Sequence, residues 1–362
     1  MNRYTLPCAA LAALCANAAS AEGLPQGFTP PPGVMAQINL GEAGLLPSFY
    51  SNEVFGTVQG RIGQARATYG AASVPGAPQT GYEDSSSALV MPMTALQALP
   101  DGKSFIRYTL AATLGNGKPN PVELDGRFTR LDVQYLTFPD ADTMYAFGAV
   151  LGRSTVDVVG SGTVEKHEFG LRGDMLRKFN ANWGIAARAE YVLGDQDKSI
   201  RIAPGITLDH KQDDNRFYTQ AELIGTYRSD ETALAPEGWV LRPILGAQFQ
   251  RNFLEETRNS FGALVSGPEG DTEDYGTVWA KIGLQKAAAP GQWSPMASIG
   301  LEHEWTNTLD KYVDDPDFVV ASLGASMVTK SGAGIVANYT RHEGLNGKRA
   351  NDCMTFSLNV PF

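Results

Sequence analysis

From Ser104 to the end of the chain, apolar and polar residues alternate with a period of two. In FIRYTLAAT, Ile106, Tyr108, Leu110 and Ala112 oppose Arg107, Thr109 and Ala111. In WGIAARAEYVL, Trp183, Ile185, Ala187, Ala189, Tyr191 and Leu193 oppose Ala186, Arg188, Glu190 and Val192. The same sorting recurs in FYTQAELIGTY around Glu222, in MASIGLEHEW around Glu302 and Glu304, and in VVASLGASMV. It ends on CMTFSLNVPF, where Met354, Phe356, Leu358, Val360 and Phe362 alternate with Thr355, Ser357, Asn359 and Pro361. A period of two places successive side chains on opposite faces of a strand. The pattern predicts strands near 105–113, 129–138, 143–151, 164–176, 183–193, 216–228, 239–252, 275–286, 295–305, 318–329, 333–341 and 352–362.

Alternation alone also fits a soluble sandwich, and three features favour a membrane barrel instead. Many strands reach about ten residues, the length that crosses a bilayer at a tilt. Their polar faces carry full charges beside Gly, Ala and Ser, as a crowded wet lumen would. Aromatics gather at strand ends: Tyr108, Tyr135, Trp183, Tyr191, Tyr227, Trp239 and Trp305. Lipid forbids unpaired strand edges, so the sheet must close. The expected fold is all-β, an antiparallel transmembrane β-barrel of twelve strands with an N-terminal α-helix in or near its lumen. Connections then alternate between short ones, such as FPDAD and KFNAN, and long ones, such as GDQDKSIRIAPGITLDHKQDD. That phase puts both ends of the barrel on the periplasmic side. SIRIAPGITL, residues 199–208, is an ambiguous further strand, assigned to an extended external loop to keep the count even.

Ahead of the barrel the character changes. Residues 1–21 read as a signal peptide, with Arg3 in the positive region, an apolar stretch from Leu6 to Leu14, and Ala19-Ser20-Ala21 as the cleavage site. Residues 22–50 are rich in Pro and Gly and predict a short extended segment. Residues 51–70, SNEVFGTVQGRIGQARATYG, predict a helix with a thin apolar stripe of Val54, Val58, Ile62 and Ala65, suited to a semi-polar enclosure. Residues 71–103 predict a turn-rich connector, and 104–362 the barrel.

Composition narrows the reading. Of 362 residues, 43% are hydrophobic and 19% charged, which excludes a disordered chain. The formal net charge of -10 argues against nucleic acid as a partner. Once Cys8 and Cys15 leave with the signal, Cys353 stands alone, so no disulfide contributes to stability.

The stretch from Gly126, GRFTRLDVQYLTFPDADTMYAFGAVLGRSTVDV, resembles the second and third strands of the autotransporter β-domain. Leu131-Asp132-Val133-Gln134-Tyr135 and Phe147-Gly148-Ala149-Val150-Leu151-Gly152 carry that match. RGDMLRKFNANWGIAARAEYVLG resembles its fourth and fifth strands, and MTFSLNVPF its closing strand. VQGRIGQAR, through Arg61-Ile62 and Arg66, resembles the helix that threads that barrel. The resemblance spans about residues 51 to 362. It implies a barrel in outer-membrane lipid of a Gram-negative bacterium, inserted by the barrel assembly machinery, which would recognise the terminal Phe362. A monomer is expected. Typical members carry a large passenger ahead of the barrel, and residues 22–50 are not expected to form one.

Candidate chemistry is sparse. In LEHEW, alternation sends His303 to the face opposite Glu302 and Glu304, which breaks an acid–base pair. DHKQDD and YVDDPD read as acidic loop clusters, open to divalent ions or to plain solvation. No cofactor or metal motif is present, and an enzymatic role is not expected. The inward charges are Arg107, Asp132, Glu168, Arg172, Asp174, Arg188, Glu190, Glu222, Arg242, Glu302 and Glu304. Some of them are expected to receive Arg61 and Arg66 of the helix and so build a plug. The expected function is a non-catalytic translocator-type barrel with an occupied pore. The alternative is a small porin or channel with a helical plug, and the third reading an outer-membrane hydrolase or protease.

Overall fold

The computed structural model describes residues 31–73, 76–78, 81–117, 123–329 and 333–361. The expected signal peptide, residues 22–30 and Phe362 lie outside them. The described chain opens with three helices: α1 Pro32–Glu42, α2 Leu45–Tyr50 and α3 Glu53–Ala72. Among the described residues thirteen long strands follow, with three two-residue strands at Tyr227–Arg228, Thr257–Arg258 and Leu264–Val265 beside them: β1 Asp84–Ala98, β2 Ser104–Gly117, β3 Leu124–Asp140, β4 Thr143–Val158, β5 Gly162–Lys178, β6 Trp183–Ala203, β7 Ile206–Gly225, β8 Trp239–Leu254, β9 Thr272–Lys286, β10 Trp293–Asn307, β11 Asp317–Val328, β12 Gly334–Gly344 and β13 Arg349–Pro361.

Every consecutive pair is antiparallel, and β8 pairs with β9. The ring closes between β1 and β13, which run parallel with Asp84 opposite Arg349 and Ala95 opposite Val360. No edge is left for lipid, as the hydrocarbon solvent requires. The expected twelve antiparallel strands therefore become thirteen, with one parallel pair. The added strand is β1, inside the segment expected to be a connector. Pro92 interrupts its alternation and has no N–H to donate, which reads as a non-strand. The ladder to β13 accommodates it by skipping Met91 and Pro92. The barrel thus begins at Asp84, and the last strand meets β1 instead of the strand at Phe105.

The second ambiguous stretch resolves differently. Residues 199–208 are the tip of the β6–β7 hairpin, with Ser199 opposite Asp209 and Ile200 opposite Leu208. The turn falls at Pro204-Gly205, where Gly205 has φ +76°. Several connections expected to be long are in fact strands extended beyond the apolar belt.

The segment expected to be extended, residues 22–50, holds α1 and α2. Pro32 starts α1 with its φ preset and no N–H to lose. Nearly the whole circumference of α1 is buried, so it shows no amphipathic period. Val34, Ile38, Leu40, Leu45, Leu46 and Phe49 pack on Phe105, Leu136, Phe138, Met144, Leu176 and Ile224 inside the barrel. Each such side chain contributes about 1.5–3 kcal/mol, so this apolar stopper is firmly seated. It lies at the end where turns 99–103 and 141–142 join strands: the Gly33 N–H donates to Gly102 O, and Asn39 Nδ2 donates to Ala141 O. We call this the lower end. The turn at 99–103 is tied by the Asp101 carboxyl, held below the usual carboxylate range by the Ser104 hydroxyl and by N–H groups of Lys103 and Ser104.

From there α3 climbs the lumen. At its top, Tyr69 donates to Pro268 O in the 255–271 loop and packs 5.9 Å from Tyr312. Past the upper end of α3 the next described strand, β1, descends. So β1 starts at the upper end and β13 finishes at the lower, and the barrel's two ends do not share a side as expected.

The outward face sorts as the alternation requires. Leu323, Phe147, Ile299 and Leu301 are each at least 60% exposed. On β13, Met354, Phe356 and Val360 are exposed and Leu358 half-exposed, while Thr355 and Asn359 are buried in the lumen. Trp183 and Tyr227 meet edge to face at the lower rim, and Phe249 stacks on Trp305 on the upper half. Above the apolar belt the outward side chains become ion pairs such as Arg251 with Asp274 and Arg341 with Asp352.

The parallel closure is directly testable. Ala88 and Cys353 are register partners, and adjacent strands lie about 4.8 Å apart, within disulfide reach. An Ala88→Cys variant is expected to form a disulfide with Cys353 on oxidation, detected as a linked peptide by mass spectrometry. Crosslinking from Ala111→Cys on β2 instead would restore direct closure onto that strand.

Candidate functional site

The lumen is the only extended polar environment the fold builds among the described residues, and its charges form two groups. The first is a chain of alternating sign that runs along the wall of β3, β5, β6 and β7. Arg188 pairs with Asp174 (3.1 Å), Asp174 with Arg172 (2.8 Å), and Arg172 with Asp132 (2.7 Å). Asp132 pairs with Arg130 (2.7 Å), Arg130 with Glu190 (2.6 Å), and Glu190 with Arg216 (3.1 Å). Arg216 pairs with Glu168 (2.9 Å), Glu168 with Lys166 (3.0 Å), and Lys166 with Asp214 (3.1 Å). Its last member is on the helix: Arg66 Nη1 lies 3.0 Å from Asp214, and Arg66 Nε donates to Glu273 at 2.7 Å.

The second group surrounds Arg61, which is 1% exposed. Its Nη1 lies 2.5 Å from Glu302 and 3.7 Å from Glu304, and donates to the Tyr275 hydroxyl at 3.1 Å. Its Nε donates to Asn351 Oδ1 at 2.8 Å, and its guanidinium stacks 4.1 Å over Phe318. Arg349 supplies a second cation to Glu304 at 2.6 Å. Arg61 thus ties α3 to β9, β10, β11 and β13 together.

Aromatic side chains of the plug join the same network. Phe49 lies under Arg107 at 3.9 Å, and its carbonyl accepts from Arg188 at 2.9 Å. Phe55 lies between Arg130 and Arg216, 4.9 Å from each, and meets Tyr218 edge to face. A buried guanidinium over an aromatic face keeps its charge solvated where water is scarce. At the lower end Ser48 donates to Glu222.

The sequence-expected lumen residues distribute as follows. Arg61, Arg66, Arg188, Glu190, Glu222, Glu302 and Glu304 all line the interior, and Arg61 and Arg66 each contact two carboxylates there. Arg242 is also inward, but no carboxylate among the described residues pairs with it. The sequence does not single out Arg130, Lys166, Asp214, Arg216, Glu273 or Arg349. Four of them fall in phase with an inward residue already named: Arg130 with Asp132, Lys166 with Glu168, and Asp214 and Arg216 with Glu222. Asp214 falls in the expected acidic loop DHKQDD, yet it is buried between Lys166 and Arg66. The YVDDPD cluster is likewise structural: Asp315 accepts N–H groups of Asn346, Lys348 and Arg349 and pins the 345–348 loop. His303 lies outside on the apolar face, paired with Asp317, across the sheet from Glu302 and Glu304.

These features define a closed barrel of transmembrane type, stoppered at its lower end and clamped above by its own N-terminal helices. No family model and no curated protein matches the chain. Among solved structures it is similar to the β-domain of the Bordetella autotransporter BrkA (TM-score 0.46, 15% identity, covering 65% of this chain and 89% of that one). It is also similar to the translocator domain of autotransporter NalP from Neisseria meningitidis (TM-score 0.45, 15% identity, 82% and 94%). A third is the transport unit of the autotransporter AIDA-I from Escherichia coli (TM-score 0.38, 12% identity, 80% and 94%).

Magnitudes separate the inner pairs from the outer ones. Removing one partner of a buried pair leaves an uncompensated charge and costs about 3–5 kcal/mol. An exposed pair is worth about 0–1 kcal/mol. Arg61→Leu is therefore expected to lower the unfolding midpoint of the refolded barrel markedly, with Arg341→Leu near wild type, both read by heat-dependent gel mobility. Arg61→Leu combined with Glu302→Leu should cost less than the two single losses added.

Proposed function

We propose that the protein is an outer-membrane β-barrel of the autotransporter-translocator type, non-catalytic, whose pore is occupied by its own N-terminal helices. The observation that carries this is the double anchoring of α3 at Arg61 and Arg66, to carboxylates on β7, β9 and β10 in the lumen's upper half. A closed ladder with an apolar exterior and a charged interior suits an outer membrane. The upper end bears the protruding β6–β7 hairpin and the 255–271 and 308–316 loops, and it is the external side by the usual asymmetry of such barrels. Residues 32–50 then stay at the periplasmic mouth, and the upper end of α3 and the start of β1 are presented outside.

A second reading, a gated channel, is favoured by one observation. Gly60, Gly63 and Gly70 of α3 have open space where a Cβ would stand, so nothing in the packing demands glycine there. Each lowers helix stability by about 1 kcal/mol relative to alanine, leaving α3 dependent on its ion pairs.

Deleting residues 53–72 is expected to raise single-channel conductance in planar bilayers, with Arg61→Ala/Arg66→Ala giving an intermediate rise. Unchanged conductance would overturn the plug. Spontaneous stepwise opening of the wild type would favour the channel. On intact cells, an epitope between Gly76 and Ala77 should be labelled and one ahead of Pro32 protected. Surface labelling of the latter would show that the upstream segment is carried across.

A further inference from the structure

One stretch of the upper lumen wall is apolar where its neighbours are charged. Leu124 and Phe128 on β3, Val156 on β4 and Val164 on β5 belong to the inward sets of their strands, in phase with Arg130, Val150 and Lys166. A wet barrel interior calls for polar side chains at such positions. The helix does not cover the patch. Gly60 and Gly63 of α3 border the same space, and a Cβ built on either would meet no atom within 4 Å.

Between helix and wall lies a partly open chamber of about 230 Å³ whose surface is predominantly apolar. Phe55 stands toward its lower end, its ring 6.3 Å from that of Phe128. The charged side chains that border it from inside are already committed. Arg66 holds Asp214 and Glu273, Arg130 holds Asp132 and Glu190, and Glu168 lies between Lys166 and Arg216. Arg127 and Asp352, also at its border, belong to the outward faces of their strands. Amides are committed as well: Asn351 accepts from Arg61 and donates to Ser86, and Gln59 donates to Gln250. What the chamber offers a ligand is therefore carbon, two aromatic rings and volume. An apolar cavity of roughly 150 Å³ already holds benzene.

We propose that this upper-lumen chamber binds a small neutral aromatic molecule, one ring in size. The ring packs on Phe55, Phe128 and the aliphatic wall, in the space the glycines leave, and displaces water that finds few partners there. The chamber exists only while α3 is seated, so the inference rests on the plug. A conductance rise on deletion of the helix without any ligand binding would sink the chamber alone, whereas unchanged conductance would sink both.

The test is isothermal titration of the refolded full-length barrel with benzyl alcohol, and in parallel with cyclohexylmethanol and with benzoate. Saturable binding of benzyl alcohol in the millimolar range or tighter is expected, with both others weaker. Gly60→Leu should weaken it by about tenfold or more, since the new side chain occupies the space the ligand needs. Leucine is a better helix former than glycine, so this variant is expected to fold. Gly70→Leu makes the same helix change outside the chamber and should bind as wild type. Val156→Phe fills the space from the wall and decides the matter if Gly60→Leu does not fold. Absence of saturable benzyl alcohol binding, undiminished affinity in a folded filled variant, or an equal loss in Gly70→Leu overturns the site. Binding of cyclohexylmethanol or benzoate as tight as that of benzyl alcohol overturns the class of ligand.

Discussion

Hydrocarbon offers no hydrogen bond to an unpaired strand edge, so the first and last strands must meet whatever path the chain takes to reach them. Here that path goes through the pore. The N-terminal helices start at the lower mouth, α3 climbs the lumen, and the first strand can only come down. A strand that begins by descending needs an odd number of strands to end at the lower rim, and the closing pair must then be parallel. Even counts are usual for bacterial barrels. The departure needs no special pairing chemistry: it follows from placing one crossing of the membrane inside the barrel instead of in its wall.

The charge pattern of the lumen makes sense on the same basis. A narrow interior has too little water to solvate isolated charges, so each must find a partner. Along β3, β5, β6 and β7 the wall satisfies itself, cation against anion, until it reaches Asp214 and Glu273 at the upper end. There the nearest guanidinium belongs to the helix. On the next strand, Glu302 and Glu304 meet Arg349 and His342 as the wall's cationic partners among the described residues, and Arg61 completes the set. Helix and wall are thus electrostatically complementary, and the wall without α3 would carry surplus carboxylate where desolvation is most severe.

What could be read in the sequence follows the same physics. Alternation revealed the strands from Ser104 on because one face met lipid and the other charge. It located Glu302 and Glu304, the partners of Arg61, in the interior, while Arg61 and Arg66 were placed there by the family resemblance of their helix. It failed where that contrast is absent. α1 is buried almost all round and has no polar face to give it a period. β1 carries Pro92 and a run of serines, and its pairing depends on a partner hundreds of residues away. Asp214 looked like loop because it stands among Asp209, Lys211 and Asp213, which point outward into solvent on a strand extended past the membrane. Arg242 could be placed inside but not understood, since only the α1–α2 corner above it shows which edge of the guanidinium is used.

The two halves of the plug are held by different forces, and this sets what can act on them. The lower half is an apolar stopper held chiefly by buried area, with charged wall groups meeting it only at its edges, as Arg188 does at Phe49 O. The upper half is a glycine-rich helix of weak intrinsic propensity, fixed at Arg61 and Arg66 by ion pairs of which three of the four carboxylates are almost wholly desolvated. Bulk salt screens such pairs little, whereas a competing charge delivered into the lumen acts on them directly. Any conformational response is therefore confined to α3 above Phe55, pivoting on a base that stays seated. A barrel so built seats the lower half of its plug by apolar burial and the upper half by ion pairs.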